Sequence, residues 1–139
     1  MIAALRRLLC SKRADEFAEA AIALPVVVFI TIAFINLTMA GFASVNANNA
    51  ANYAARVGSV NQQSPGPAAY SAALESINHA KIGDYQVGVS GGGFPGAQIN
   101  VVVTWNVPNF MGGIAAFFGA SFGDDFTGTA TSVFRQEGW

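Results

Sequence analysis

The feature that most constrains this chain is a run from Ala20 to Ala55 without a single Asp, Glu, Lys or Arg. Its most apolar part, Ala20 to Val45, is long enough to cross a membrane, because about 20 apolar residues span a hydrocarbon core of about 30 Å. The apolar region of a cleaved signal peptide is shorter, at about 7–15 residues. The sequence therefore predicts a retained transmembrane helix over residues 20–45.

The charges that flank this run are unevenly distributed and predict an orientation. Arg6, Arg7, Lys12 and Arg13 precede the run, whereas Arg56 is the first basic residue after it. Cytoplasmic flanks of membrane helices carry an excess of Lys and Arg. We therefore expect residues 1–19 to form a basic cytoplasmic tail with the start of the helix, and the C-terminal part to lie outside the cytoplasm.

Residues 46–139 are predicted to form a small extracytoplasmic domain of class α+β. The long helix is expected to continue to about Val60, and a second helix is expected over residues 68–80. The apolar face of this second helix is predicted to consist of Tyr70, Leu74 and Ile77. Three segments with alternating apolar residues are predicted to pair as a three-stranded antiparallel sheet. These segments are Tyr85 to Ser90, Ile99 to Val107 and Phe126 to Phe134.

Two side chains of the long helix are candidates for contacts with partners. Asn36 is costly near the middle of a membrane span, so its amide should either bind a partner helix or be satisfied locally, within its own helix or at the membrane surface. Tyr53 belongs to an Ala/Tyr/Val stripe at helical spacing, which offers a surface for packing.

An aromatic cluster follows the second predicted strand. Phe117, Phe118 and Phe122 lie in a stretch that is rich in Gly and Ala. One interpretation is that they pack as core over the sheet. The other is that they form an exposed lip that touches the membrane or a partner, because exposed aromatic patches mark contact sites.

No constellation in the sequence indicates an enzyme. His79 is the single histidine and Cys10 the single cysteine, which leaves no intrachain disulfide and no zinc spacing. Asp124-Asp125 offers two carboxylates, fewer ligands than calcium needs unless backbone carbonyls are added. Gly91-Gly92-Gly93 lacks the Lys-Ser/Thr of a phosphate-binding loop. We expect no catalysis, cofactor, metal, nucleic acid or small-molecule substrate.

Three parts of the sequence, in order, resemble the TadE-like pseudopilins of tight-adherence pilus systems. Asp15-Glu16-Phe17-Ala18, followed by an apolar run with Pro25, resembles the family's passage into the membrane. The segment Asn46 to Arg56 resembles its Asn/Ala-rich stretch that ends in Ala-Ala-Arg. Ile99 to Pro108 and, after an aromatic and Gly-rich linker, Ala130 to Arg135 resemble its last two strands.

The resemblance implies a pilin-like fold in a bacterial inner membrane, a periplasmic domain and a non-catalytic role as a minor pseudopilin. The partners it implies are the lipid bilayer and other integral membrane subunits. In pilin-like proteins an acid at the membrane helix engages a neighbouring subunit, and Glu16 matches that position. The alternative for Glu16 is a local pair with Lys12 or Arg13.

The segment before the membrane helix departs from the family pattern. Pseudopilin precursors are cut there, often after a small residue, and Ala14 is the only local match because Ser11-Lys12-Arg13 is not Gly/Ala-rich. If the chain is not cut, a second function class fits better. That class is an accessory anchor subunit of a larger integral membrane complex, for example an energy-transducing or photosynthetic assembly, built on the same fold.

Overall fold

The computed structural model describes residues 12–117, 119 and 123–138. In chain order its elements are α1 (Lys12–Val60), α2 (Pro65–His79), β1 (Asp84–Gly91), β2 (Gln98–Val107), α3 (Phe110–Phe117) and β3 (Phe126–Arg135). The predicted α+β class, with a long N-terminal helix, a short helix and a three-stranded antiparallel sheet, is confirmed. The helix α3 is an addition that the sequence did not predict.

The first helix, α1, is one continuous element of 49 residues. It is long and apolar enough, by length and composition, to cross a membrane. The chain divides into two compact units between Ile35 and Asn36. In the first unit, none of the side chains described from Glu16 to Ile35 is buried. An apolar helix with this much exposed surface is compatible with a single-pass membrane protein.

In the second unit, α1 is packed almost entirely through alanine. Small side chains let the backbone of a helix approach its neighbours closely. The buried alanines of α1 are Ala40, Ala43, Ala47, Ala50, Ala51, Ala54 and Ala55. They are joined in the core by Ala69, Ala73 and Ile77 of α2, by Ile99, Val101 and Val103 of β2, and by Ala130 of β3.

The sheet has the order β1-β2-β3, and both pairs are antiparallel. Val103 of β2 pairs with Val87 of β1 and with Ala130 of β3. Alternate residues of a strand point to one face, which places Ile99, Val101 and Val103 together in the core. Each strand lies within one residue of its predicted bounds, because the alternation of apolar residues is regular in all of them.

The second helix differs from its prediction in two respects. It begins at Pro65, three residues before the predicted start, with proline in the first turn, where its missing N–H costs nothing. Its buried face includes Ala69, Ala73 and Ile77, whereas Tyr70 and Leu74 are 47% and 39% exposed. The predicted face was therefore wrong for these two residues. Ala69, Ala73 and Ile77 lie in one core cluster with the alanines of α1 and residues of the sheet, so α2 packs through its smaller side chains.

Gly58 shows how close α1 and α2 approach each other. A Cβ atom at this position would lie 2.9 Å from the Cβ of Ala69 and 3.0 Å from the carbonyl oxygen of Pro65. Both distances are shorter than ordinary van der Waals contact, so the position accepts only glycine without movement of the backbone. The crossing of the two helices therefore depends on this residue.

Candidate membrane and partner surfaces

Three asparagines of α1, Asn36, Asn46 and Asn52, fasten the helix to the rest of its unit. The Asn46 amide donates to the carbonyl oxygen of Ala80 at 3.0 Å. The Asn52 side-chain oxygen accepts a 2.8 Å bond from the Ser132 hydroxyl. Both bonds join α1 to segments far away in the chain. Asn46 and Asn52 therefore have a structural role, since alanine can pack but cannot supply directional contacts.

Asn36 is the first of these asparagines and is fully buried. Its Nδ2 donates to Oδ1 of Asn109 at 2.9 Å. That same Oδ1 accepts the backbone N–H of Met111 at 3.1 Å, so Asn109 is the N-cap of α3. The Asn36 Oδ1 accepts the N–H of Phe110 at 3.5 Å, a weaker contact. Asn36 thereby fixes the start of α3 against α1.

Asp125, just before β3, is hydrogen-bonded to Asn109, the N-cap residue of α3. The backbone N–H of Asn109 donates to one carboxylate oxygen of Asp125 at 3.0 Å, and the Asn106 amide donates to the other at 3.3 Å. Both carboxylate oxygens of Asp125 therefore accept hydrogen bonds that hold it next to Asn106 and Asn109. In the described part of the chain, no three His, Cys, Asp or Glu side chains lie together in a way that could hold a metal ion.

The polar residues predicted inside the membrane span have partners within the chain. The hydroxyl of Thr31 donates to the carbonyl oxygen of Val27 at 2.8 Å, a bond back to its own helix. Asn36 is satisfied by Asn109, which is a different element of the same chain. A contact of Asn36 with another subunit stays a prediction.

Tyr53 lies on the exposed side of α1, half of its surface open. It lines a shallow, mostly apolar groove together with Asn52, Arg56, Val57 and Val60. Phe42, Tyr53 and Val60 follow one another at spacings of 11 and 7 residues, about three and two helical turns, so they lie along one face. All three are at least half exposed. We call this row, Phe42, Tyr53 and Val60, the Tyr53 stripe.

Glu16 is exposed on the first turns of α1. Next to it in sequence, Phe17, Ala20, Ala21, Leu24 and Pro25 line a shallow apolar groove. Small residues such as these alanines are typical of helix contacts in membranes. A subunit contact at Glu16 stays a prediction, and the alternative pairing with Lys12 or Arg13 involves side chains outside the described ones.

The predicted aromatic cluster falls largely outside the described residues. Phe118 and Phe122 are not described, and for Phe117 only the backbone, at the end of α3, is described. Both interpretations of the cluster stay predictions. Cys10 also lies outside the described residues.

Gln136 is a structural residue that the sequence analysis missed. It is buried, and its Oε1 accepts the backbone N–H of Gly93 at 3.0 Å. Its Nε2 donates to the carbonyl oxygen of Asn61 at 3.5 Å. Gln136, directly after β3, thus connects Gly93, in what we call the glycine loop (Gly91-Gly92-Gly93), to Asn61, the residue after the end of α1. Nothing local in the sequence marks this residue, whereas Asn109, directly after Pro108 and before an apolar run, matches the preference for N-caps.

Together these features define an α+β chain with an apolar, exposed helical segment and a small domain fastened to the following part of the same helix. Comparison with protein-family models, with curated proteins and with solved structures finds no match to this chain. The resemblance to TadE-like pseudopilins stays a prediction that rests on the three sequence motifs.

Proposed function

We propose that this chain is a non-catalytic, single-pass protein of a bacterial inner membrane that acts as a minor pseudopilin in the assembly of an envelope pilus or secretion system. Its N-terminus lies in the cytoplasm and its domain in the periplasm. The observation that carries the proposal is the change in the surface of α1 at Asn36. Before this residue none of the described side chains is buried, and after it one side of the helix is buried through alanine.

The length of the exposed segment supports insertion into a bilayer. The charge-free part of the exposed segment, residues 20–35, is about 24 Å long at about 1.5 Å per residue. The preceding turn, which carries Glu16 and Glu19 at its cytoplasmic end, extends the segment to about 30 Å, the thickness of a typical hydrocarbon core. The proposed span is therefore 16–35 rather than 20–45. Ala40 and Ala43 are buried within the second unit, so this part of α1 belongs to the domain.

The Tyr53 stripe supports an assembly role. It exposes Phe42, Tyr53 and Val60 to solvent, and aromatic side chains are enriched in the central parts of protein interfaces. The nearby Arg56 is exposed as well and adds a charge at the rim of the groove. We assign the stripe as the contact with another integral membrane subunit, and Glu16 as a second contact near the cytoplasmic end.

The experiment that tests the proposal is purification of the tagged chain in mild detergent, with mass spectrometry of the copurifying chains and of its own N-terminus. A peptide that begins after Ala14, together with pilus-assembly components, is the expected result. The variant Tyr53→Ala should lose the partner. Tyr70→Ala is the matched control, because Tyr70 is similarly exposed, at 47% against 50% for Tyr53, but lies on α2.

Two outcomes contradict the proposal. An intact N-terminus that contains Met1, in a stoichiometric complex with other integral membrane subunits, excludes the pseudopilin and supports the accessory anchor subunit. Equal retention of partners by Tyr53→Ala and Tyr70→Ala excludes the Tyr53 stripe as the contact in either function.

A further inference from the structure

The helix α3 has a composition that does not suit a water-exposed surface. Its eight residues, FMGGIAAF, include no polar side chain. A helix that is apolar all round is normally buried in protein or in lipid. Yet Phe110 is 49% exposed, and Gly113 and Ala116, which follow at steps of three, are exposed too. These three residues define what we call the α3 face.

The position of α3 along α1 suggests what covers this face. Asn109, the N-cap of α3, is bonded to Asn36 at 2.9 Å, and the N–H of Phe110 also points to Asn36. Asn36 directly follows Ile35, the last residue of the exposed apolar segment. The start of α3 is therefore attached to α1 at the residue where the proposed membrane span ends.

The backbone N–H groups in the first turn of α3 have hydrogen-bond acceptors, as an apolar environment requires. A helix N-terminus leaves N–H groups without partners inside the helix, and such groups are costly in lipid. Here the N–H of Phe110 is accepted by Asn36, that of Met111 by the Asn109 side chain, and that of Gly112 by the Asn109 carbonyl at 3.3 Å. The first three donors of the helix are thus satisfied within the chain.

We propose that α3 is an interfacial helix that lies in the outer boundary of the bilayer, with the α3 face in contact with lipid. The proposal rests on the membrane anchoring of residues 16–35 proposed above. Because α3 carries no charge and the following Asp124 and Asp125 are acidic, its contact with lipid does not require anionic headgroups, unlike that of basic amphipathic helices. Lipid contact gives the domain a second point of attachment besides α1.

A fluorescent reporter at Gly113 tests this contact. In a Cys10→Ser background, Gly113→Cys is labelled with an environment-sensitive fluorophore, and the full chain is reconstituted into phosphatidylcholine vesicles. A Cβ atom at Gly113 meets nothing within 4 Å, and the same holds for Gly66 at the start of α2, so Gly66→Cys is the matched control. Ile30→Cys reports the proposed span, and Ala116→Cys is a second reporter on the α3 face.

The expected result is quenching of the labels at positions 30, 113 and 116 by lipid-borne nitroxides, with several-fold weaker quenching by aqueous iodide than at position 66. The result should not change when anionic lipid is added. If Ile30→Cys is quenched from lipid but Gly113→Cys and Ala116→Cys respond to iodide as Gly66→Cys does, the interfacial helix is excluded and the anchor stands. If Ile30→Cys is not quenched from lipid, the proposed membrane span fails and the interfacial helix fails with it.

Discussion

Replacement of Asn36 by alanine should loosen α3 without unfolding the rest of the domain. The variant loses the 2.9 Å bond to Asn109, and a hydrogen bond contributes about 0.5–1.5 kcal/mol net. It also leaves the N–H of Phe110 without its acceptor, at a cost of about 1–3 kcal/mol where that group is shielded from water. The better helix propensity of alanine returns up to about 0.7 kcal/mol. The net loss is therefore about 2 kcal/mol.

Asn48→Ala is the control, because it makes the same substitution at an exposed site of the same helix. Among the described residues its side chain bonds to the carbonyl oxygen of Ser44, one turn before it in the same helix. The two variants therefore share the gain in helix propensity, and Asn48→Ala breaks no bond described between α1 and another element. Amide hydrogen exchange over residues 109–117 measures the difference. About 2 kcal/mol corresponds to about 30-fold faster exchange in Asn36→Ala. Equal protection of this segment in the two variants would refute the role of Asn36.

Three further substitutions test the packing and the hydrogen bonds of the domain. Gly58→Ala should destabilise it by about 1–3 kcal/mol in urea unfolding, since the added methyl group overlaps Ala69. Gly41→Ala, with open space around the new Cβ, should instead add up to about 1 kcal/mol, and a similar effect of both variants would contradict the close crossing. Gln136→Ala should speed amide exchange at Gly93, its hydrogen-bond partner, by at least about tenfold, and unchanged exchange would show that the glycine loop is held by other contacts.

The sequence predicted the elements of the fold well wherever one periodic pattern dominates. The strands alternate regularly, and α1 contains a single proline, Pro25. The buried face of α2 could not be predicted from large apolar side chains, because Tyr70 and Leu74 are exposed whereas the smaller Ala69 and Ala73 are buried in the core. Where α2 approaches α1 closely, as Ala69 does at Gly58, only small side chains of α2 fit between the two helices. The helix α3 was missed because it is short and contains two adjacent glycines, which favour loops.

The candidate surfaces were predicted in part. Asn36 stands out in the sequence as a costly polar residue in an apolar run, but its partner Asn109 lies 73 positions away, and no local spacing connects the two. Gln136 is harder still, since it bonds to two backbone atoms whose positions depend on the completed fold. Tyr53 was predicted in an Ala/Tyr/Val stripe, but Ala50, Ala51 and Ala54 are buried in the core whereas Tyr53 is half exposed, so periodicity alone did not separate its exposed side chain from the buried alanines.

Under the membrane anchoring proposed above, the charge-free run from Ala20 to Ala55 lies in two environments, lipid and the core of the domain, although one feature of composition, the absence of charge, is common to both. Both lipid and a protein core exclude charge, so the absence of Asp, Glu, Lys and Arg cannot separate them. The size of the side chains does distinguish a lipid-facing segment from one packed in a protein core. Up to Ile35 the run is rich in Val, Ile and Phe, whereas beyond it Ala and Asn dominate. Large apolar residues suit a lipid-facing surface, while small ones suit a helix that approaches its own domain and needs amides to hold it. The change falls at Asn36, which we propose as the outer end of the membrane span.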